Sequence, residues 1–160
     1  MRRSLPSLFW ALLLPVPLLL GALVWRSPPA VPTPTEAAAR SLQARSADVV
    51  LMVTAADAPA FRAVGRVTMA RAETHLRTDG VEVVLDEAGT RVRVAGAADW
   101  IAVSPSGGLA FDDIVALLET IAAGAASDLE VDVDADGRIA RIAAITADGH
   151  VVVRLGPYRT

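Results

Sequence analysis

The chain has 160 residues, 53% of them hydrophobic, with a formal net charge of −3; that is room for one modest domain and an appendage, and it excludes two full domains. All eighteen acidic residues lie at or beyond Glu36, against twelve of the fifteen Arg, so this portion carries −6, a balance that repels phosphate backbones and argues against nucleic acid as a partner. Cysteine is absent, which removes disulfides, thiolate metal sites and a Cys nucleophile.

Residues 5–25 carry no charge and are rich in leucine. At 1.5 Å per residue a helix of about 21 residues spans roughly 30 Å, the thickness of a hydrocarbon core. Pro15 and Pro17 would break a helix in water, but a bilayer leaves the backbone few alternatives to helix, so a kink near Leu14 is predicted. A cleaved signal peptide is the competing reading, since it shares the basic start Arg2-Arg3. Against it, the apolar stretch exceeds a typical signal core, and Trp25-Arg26-Ser27-Pro28-Pro29 offers no small-x-small cleavage site. The expectation is a transmembrane signal-anchor helix at 1–26, single-pass in the cytoplasmic (inner) membrane. Arg2, Arg3 and the terminal amine outweigh Arg26, which places the N-terminus in the cytoplasm and the remainder on the periplasmic or extracellular side. The reversed orientation stays open, because Arg26 and Arg40 come after the segment within reach of the same rule. Trp25 suits an interfacial belt; Phe9, Trp10 and Trp25 are candidates for contact with a partner helix, plain lipid contact being the blander reading.

Pro28, Pro29, Pro32 and Pro34 punctuate residues 27–35, which read as an extended Pro-rich stalk. Thr35, followed by Glu36-Ala37-Ala38-Ala39-Arg40-Ser41-Leu42, supplies a capping residue, an early acid and good helix formers, so a short helix to about Ala44 is predicted. Alternation of period two comes next at 48–55 and 61–71, with a turn at Asp57-Ala58-Pro59. A two-residue turn at Asp79-Gly80 sets Thr78 against Val81, Arg77 against Glu82 and Leu76 against Val83. A four-residue loop at 86–89 sets Val83 against Val92 and Glu82 against Arg93. The two registers agree: Leu76, Val83 and Val92 share one face, while Arg77, Glu82 and Arg93, with His75 nearby, form a charge ladder on the other.

Residues 100–104 give a further short strand, ended by Ser104-Pro105-Ser106-Gly107-Gly108. Ile114, Val115, Leu117, Leu118, Ile121 and Ala122 form a helical stripe, opened by Asp112 and Asp113 and stopped near Gly124. Strands at 129–134, 138–146 and 150–155 come after it, joined by Asp136-Gly137 and Asp148-Gly149 turns. A three-residue loop at 135–137 sets Val133 opposite Ile139 and Asp134 opposite Arg138. The predicted domain at 36–160 is α+β: one antiparallel meander of seven or eight strands with one long helix.

Asp132, Asp134 and Asp136, followed by Gly137 and Ile139, reproduce the first half of a calcium loop of the EF-hand kind, where alternate carboxylates converge on one cation. Position twelve is Ala143, where a bidentate Glu is needed, and 129–134 alternates as a strand does; the plainer reading is a solvated acidic strand with an Asp-Gly turn. His75 and His150 have no Ser or acid partner in any motif, and Pro105-Ser106-Gly107 is not a nucleophile elbow. Asp112-Asp113 read as helix-start residues, and Gly107-Gly108 lacks the Lys of a phosphate loop. The expectation is a non-enzymatic protein without cofactor, an accessory or structural subunit whose partners are an integral membrane protein complex and the lipid bilayer. The alternative is a membrane-anchored binding module for a lipid or other apolar ligand.

Overall fold

The computed structural model describes residues 30–55, 60–86, 88–103, 113–146 and 149–160. The transmembrane segment predicted at 1–26, the first residues of the stalk and the turn at 57–59 lie outside the described residues. Among the described residues, no helix is long and apolar enough to cross a membrane.

Helix α1 (Pro34–Leu42) starts earlier than its composition suggested. Thr33, not Thr35, caps it: Thr33 Oγ1 accepts from the Glu36 N–H at 3.3 Å, and Glu36 Oε2 accepts from the Thr33 N–H at 2.9 Å. This reciprocal box satisfies two donors that a helix start leaves unpaired, and Pro34 fits the first helical position because its N–H would have no partner there. Pro34 and Thr35, assigned by proline content to the stalk, are therefore the first turn of a helix.

The strands are β1 (Ser46–Ala55), β2 (Phe61–Thr68), β3 (Glu73–Thr78), β4 (Val81–Asp86), β5 (Gly89–Val94), β6 (Ile101–Val103), β7 (Leu129–Val133), β8 (Ile139–Thr146) and β9 (Gly149–Arg159). Among the described residues they make one antiparallel sheet of nine strands, in the order β6-β5-β4-β3-β2-β1-β9-β8-β7. Two meanders thus run in opposite directions from a central seam where the first strand pairs with the last. The register read from the sequence holds: Arg77 faces Glu82, Leu76 faces Val83, Val83 faces Val92 and Glu82 faces Arg93. The second loop is tighter than predicted, because Asp86 and Gly89 themselves pair. The alternation of 61–71 breaks at Thr68: Met69–Arg71 form a 3-10 turn, and Ala72 at φ 45° reverses the chain.

Helix α2 (Ile114–Ala122) has nine residues, as does α1, so the helix predicted as the long one is no longer than the short one predicted before the sheet. Asp113 caps α2, its Oδ1 accepting from the Val115 N–H at 2.9 Å. The helices pack against each other on one face of the sheet, with α1 against β7 and β8. The fully buried Ala37 and Ala38 allow close approach, and Leu118, Ile121, Ile139, Ile142, Val49 and Val153 join them in one core.

A chain of hydrogen bonds ties α1 to the sheet. The Tyr158 hydroxyl donates to the Ile139 carbonyl at 2.7 Å, the Ile139 N–H donates to Ser41 Oγ at 2.9 Å, and the Ser41 hydroxyl donates to the Ala37 carbonyl at 2.8 Å. Ser41 is fully buried, so each bond satisfies a group that would otherwise be stranded away from water.

Two glycines shape the sheet. Gly65 on β2 lies so close to β3 that a Cβ would strike the backbone carbonyl of His75. Gly156, at φ 113°, precedes Pro157 where the β1–β9 register shifts between Ala47 and Val49. Proline has no N–H for the ladder, and a bulge is where a strand can hold one. Side chains alternate along a strand, so this extra residue inverts the facing of the residues after it. Tyr158 turns into the core, and Arg159 turns outward to Asp48.

Gly65→Ala is expected to abolish cooperative thermal unfolding or leave the protein insoluble; an unchanged melting temperature would contradict the close approach. Burial pushes the Tyr158 phenol up to about 12, so as pH rises the unfolded chain ionises first and the stability held below pH 10 is lost between about pH 10 and 12. Tyr158 is the sole tyrosine, and tyrosinate absorbance should therefore show a single transition near 12 in the folded chain. Tyr158→Phe should flatten the alkaline loss while costing about 0.5–1.5 kcal/mol at neutral pH.

Candidate functional site

The face of the sheet turned away from the helices is charged. Alternation places Asp48 and Arg66, Glu73, His75 and Arg77, Glu82 and Asp86, and Arg91 and Arg93 on it together. A cleft of about 720 Å³ crosses β2 to β5 on this face, between Arg66 at one end and Trp100 at the other.

Glu82 organises the cleft. Its Oε1 accepts from Arg77 Nη2 at 2.6 Å and its Oε2 from Arg93 Nε at 2.5 Å. The bond from Arg93, then that from Arg77, holds the Glu82 carboxyl below the usual carboxylate range. The pairing therefore contributes stability above the ordinary glutamate range, lost as pH falls through the lowered folded value. With both oxygens occupied by guanidinium donors, Glu82 is an anchor and not a proton acceptor. The Arg93 guanidinium stands 4.5 Å from the centroid of the Trp100 ring, a cation–π contact that fixes the indole as one wall. His75 Nε2 lies 2.5 Å from Glu73 Oε1 at the rim. This arrangement can recognise polar and anionic groups; it presents no nucleophile beside a base.

The structure does not bring the two histidines together: His75 is on β3 and His150 on β9, with β2 and β1 between them. Nor does it converge the acidic loop. Asp132 points outward from β7 to Arg141 Nη1 at 3.1 Å. Asp134 Oδ1 accepts from the backbone N–H groups of Asp136 at 2.9 Å and Arg138 at 2.8 Å, closing the turn. Asp136 is exposed at its tip. Among the described residues no three His, Asp or Glu form a group able to hold a metal ion. Asp113 serves α2 as a cap; Asp112, the Pro105-Ser106-Gly107-Gly108 stretch, Phe9, Trp10 and Trp25 lie outside the described residues.

The helix-side face holds a second feature. Val83 and Leu85 pack on the margin of the core, and beyond them the apolar strip continues through Val92 to Val94, Ile101 and Val103, which are 65%, 64% and 39% exposed. Ile101 and Val103 belong to β6, the edge strand.

Sequence reasoning found the Arg77-Glu82-Arg93 ladder but missed Trp100 as its wall and Arg159 as a member of the charged face. Trp100 was legible in principle, since continuing the β5–β6 register places it across from Arg93. Arg159 was missed because the last strand was predicted to stop at residue 155, whereas β9 continues to Arg159. Compared with known proteins, the chain matches no family model and no curated relative.

If Asp134 is a turn residue, Asp134→Ala should cost about 1–2 kcal/mol through two orphaned N–H groups, equally with and without millimolar calcium. A calcium-dependent melting shift in the parent that this substitution removes would restore the cation reading.

Proposed function

We propose that this chain is a non-enzymatic accessory subunit, held by one N-terminal membrane helix, whose antiparallel domain braces a larger membrane protein complex on the extracytoplasmic side. The observation that carries the reading is the apolar strip ending at Val94 of β5 and at Ile101 and Val103 of the edge strand β6. An edge strand offers unpaired backbone groups, and exposed branched apolar side chains beside it add area that a neighbouring chain can cover. The uncharged run at 5–25 behind Arg2-Arg3 supports the anchor, with the N-terminus in the cytoplasm.

A second reading rests on the same face. Val83, Leu85 and Val92 are half-buried at the core margin, a surface that would also suit the acyl part of a lipid held by the anchored domain.

Purification of tagged full-length protein from native membranes in mild detergent, followed by sizing and mass spectrometry, separates the two. A stoichiometric large complex is expected, and Ile101→Asp with Val103→Asp should release the subunit from it. Recovery as a lone small species would overturn the subunit reading, and co-purified lipid in that species would favour the second.

A further inference from the structure

A second cleft, of about 530 Å³, opens where β1, β2 and β9 end side by side, lined by Arg45, Ser46, Arg66, Thr68, Arg71 and Arg159 among others. Four arginines line this cleft, and two of them share one carboxylate. Asp48 takes Arg66 Nε on Oδ1 at 3.3 Å and Arg159 Nη2 on Oδ2 at 3.0 Å. Arg45 and Arg71 have no ion-pair partner among the described residues.

The backbone holds the cluster together. The Arg45 N–H donates to the Arg159 carbonyl at 2.8 Å, and the Arg45 carbonyl accepts from the Met69 N–H at 3.0 Å. Thr68 precedes the 3-10 turn without its hydroxyl capping it, which leaves that hydroxyl as a donor beside the arginines. The bulge at Gly156-Pro157 is what turns Arg159 into the cluster and not into the core. Uncompensated like charges repel, and such repulsion stabilises no fold. In a portion of the chain that carries −6 overall, this local excess marks a place where an anion supplies the missing charge.

We propose that this cleft binds a phosphate group, either free phosphate or the phosphate of an ester such as a lipid headgroup. Guanidinium forks match the paired oxygens of phosphate, and several forks on one dianion are the strongest charge-assisted arrangement side chains offer. Arg66 also lines the Trp100 cleft, so the body of an ester has a path along the charged face.

The test uses the full-length chain in dodecyl maltoside micelles, following arginine Nε–H signals by NMR. One arm titrates inorganic phosphate; the other dopes the micelles with phosphatidylglycerol. Saturable shifts in either arm are expected, with the apparent Kd raised at least tenfold in Arg45→Gln/Arg71→Gln and unchanged in Arg62→Gln, which lies on the same face outside the cleft. A response to inorganic phosphate assigns a soluble ligand, and one confined to doped micelles assigns a headgroup. The melting temperature of the double variant without ligand should not fall below that of the parent, since neither side chain has an ion-pair partner among the described residues and their removal relieves like-charge repulsion. Should the double variant fold poorly, Arg71→Gln alone, outside the strands, should still weaken binding at least threefold. No saturable response in either arm, or a response that survives these substitutions, overturns the proposal.

Discussion

The pairing of β1 with β9 is the constraint on which the rest depends. Among the described residues it is the one strand contact that joins distant parts of the chain, and it converts two local meanders into one nine-stranded sheet. Each meander alone is a set of short hairpins, and such pieces are marginal in water without a shared apolar face. Across the seam Val49 meets Leu155 and Leu51 meets Val153, so the core runs unbroken beneath both helices. The hydrogen-bond chain from Tyr158 through Ile139 and Ser41 to Ala37 then ties α1 to β8 and, through Tyr158, to the end of β9. Closing such a contact carries the loop-entropy cost of nearly the whole domain, which the buried apolar face of both meanders must offset.

The same seam produces the charged end of the molecule. The single extra residue at Gly156-Pro157 inverts the facing of the last two residues of β9, so one irregularity sends an aromatic ring inward and a guanidinium outward. Without it, Tyr158 would stand in water and Arg159 would point at the core. Arg159 then meets Asp48, Arg66 and Arg45 from neighbouring segments. Within the strands β1 to β5 the register sorts the charged side chains onto one face, and a net acidic chain acquires a cleft lined by four arginines. The far edge of the sheet presents the opposite chemistry, an apolar strip at β6, so the two faces and ends suit different partners.

What could be read from residues alone was local. The Asp79-Gly80 turn fixed a register, the loop after it fixed another, and their agreement located the Arg77-Glu82-Arg93 ladder correctly because period-two alternation leaves little freedom once a two-residue turn is set. The Asp113 cap and the stripe from Ile114 to Ile121 located α2 for the same reason: cap and periodicity both act within a few residues. Non-local features stayed hidden. Nothing in residues 150–155 announces that the strand continues past a proline to pair with Ser46, and nothing near Arg45 or Arg71 announces Arg159. For the acidic run Asp132-Val133-Asp134-Ala135-Asp136, spacing alone admits both a converging loop and the plainer strand with an Asp-Gly turn, because what separates them is the bonding of Asp134 to the Asp136 and Arg138 N–H groups. The start of α1 was missed because a proline-rich stretch and the proline at a first helical turn share a composition and differ only in the cap.

Native-state hydrogen exchange of the full-length chain, resolved by residue, bears on the β1–β9 seam more directly than any other experiment. The β1 and β9 amides are expected to exchange slowest, together, and only through global unfolding, with β8 and β2 close behind and β6 fastest. Exchange of β7 to β9 as a unit separate from β1 to β5, with the seam opening before either meander, would contradict the dependence of the fold on that pairing.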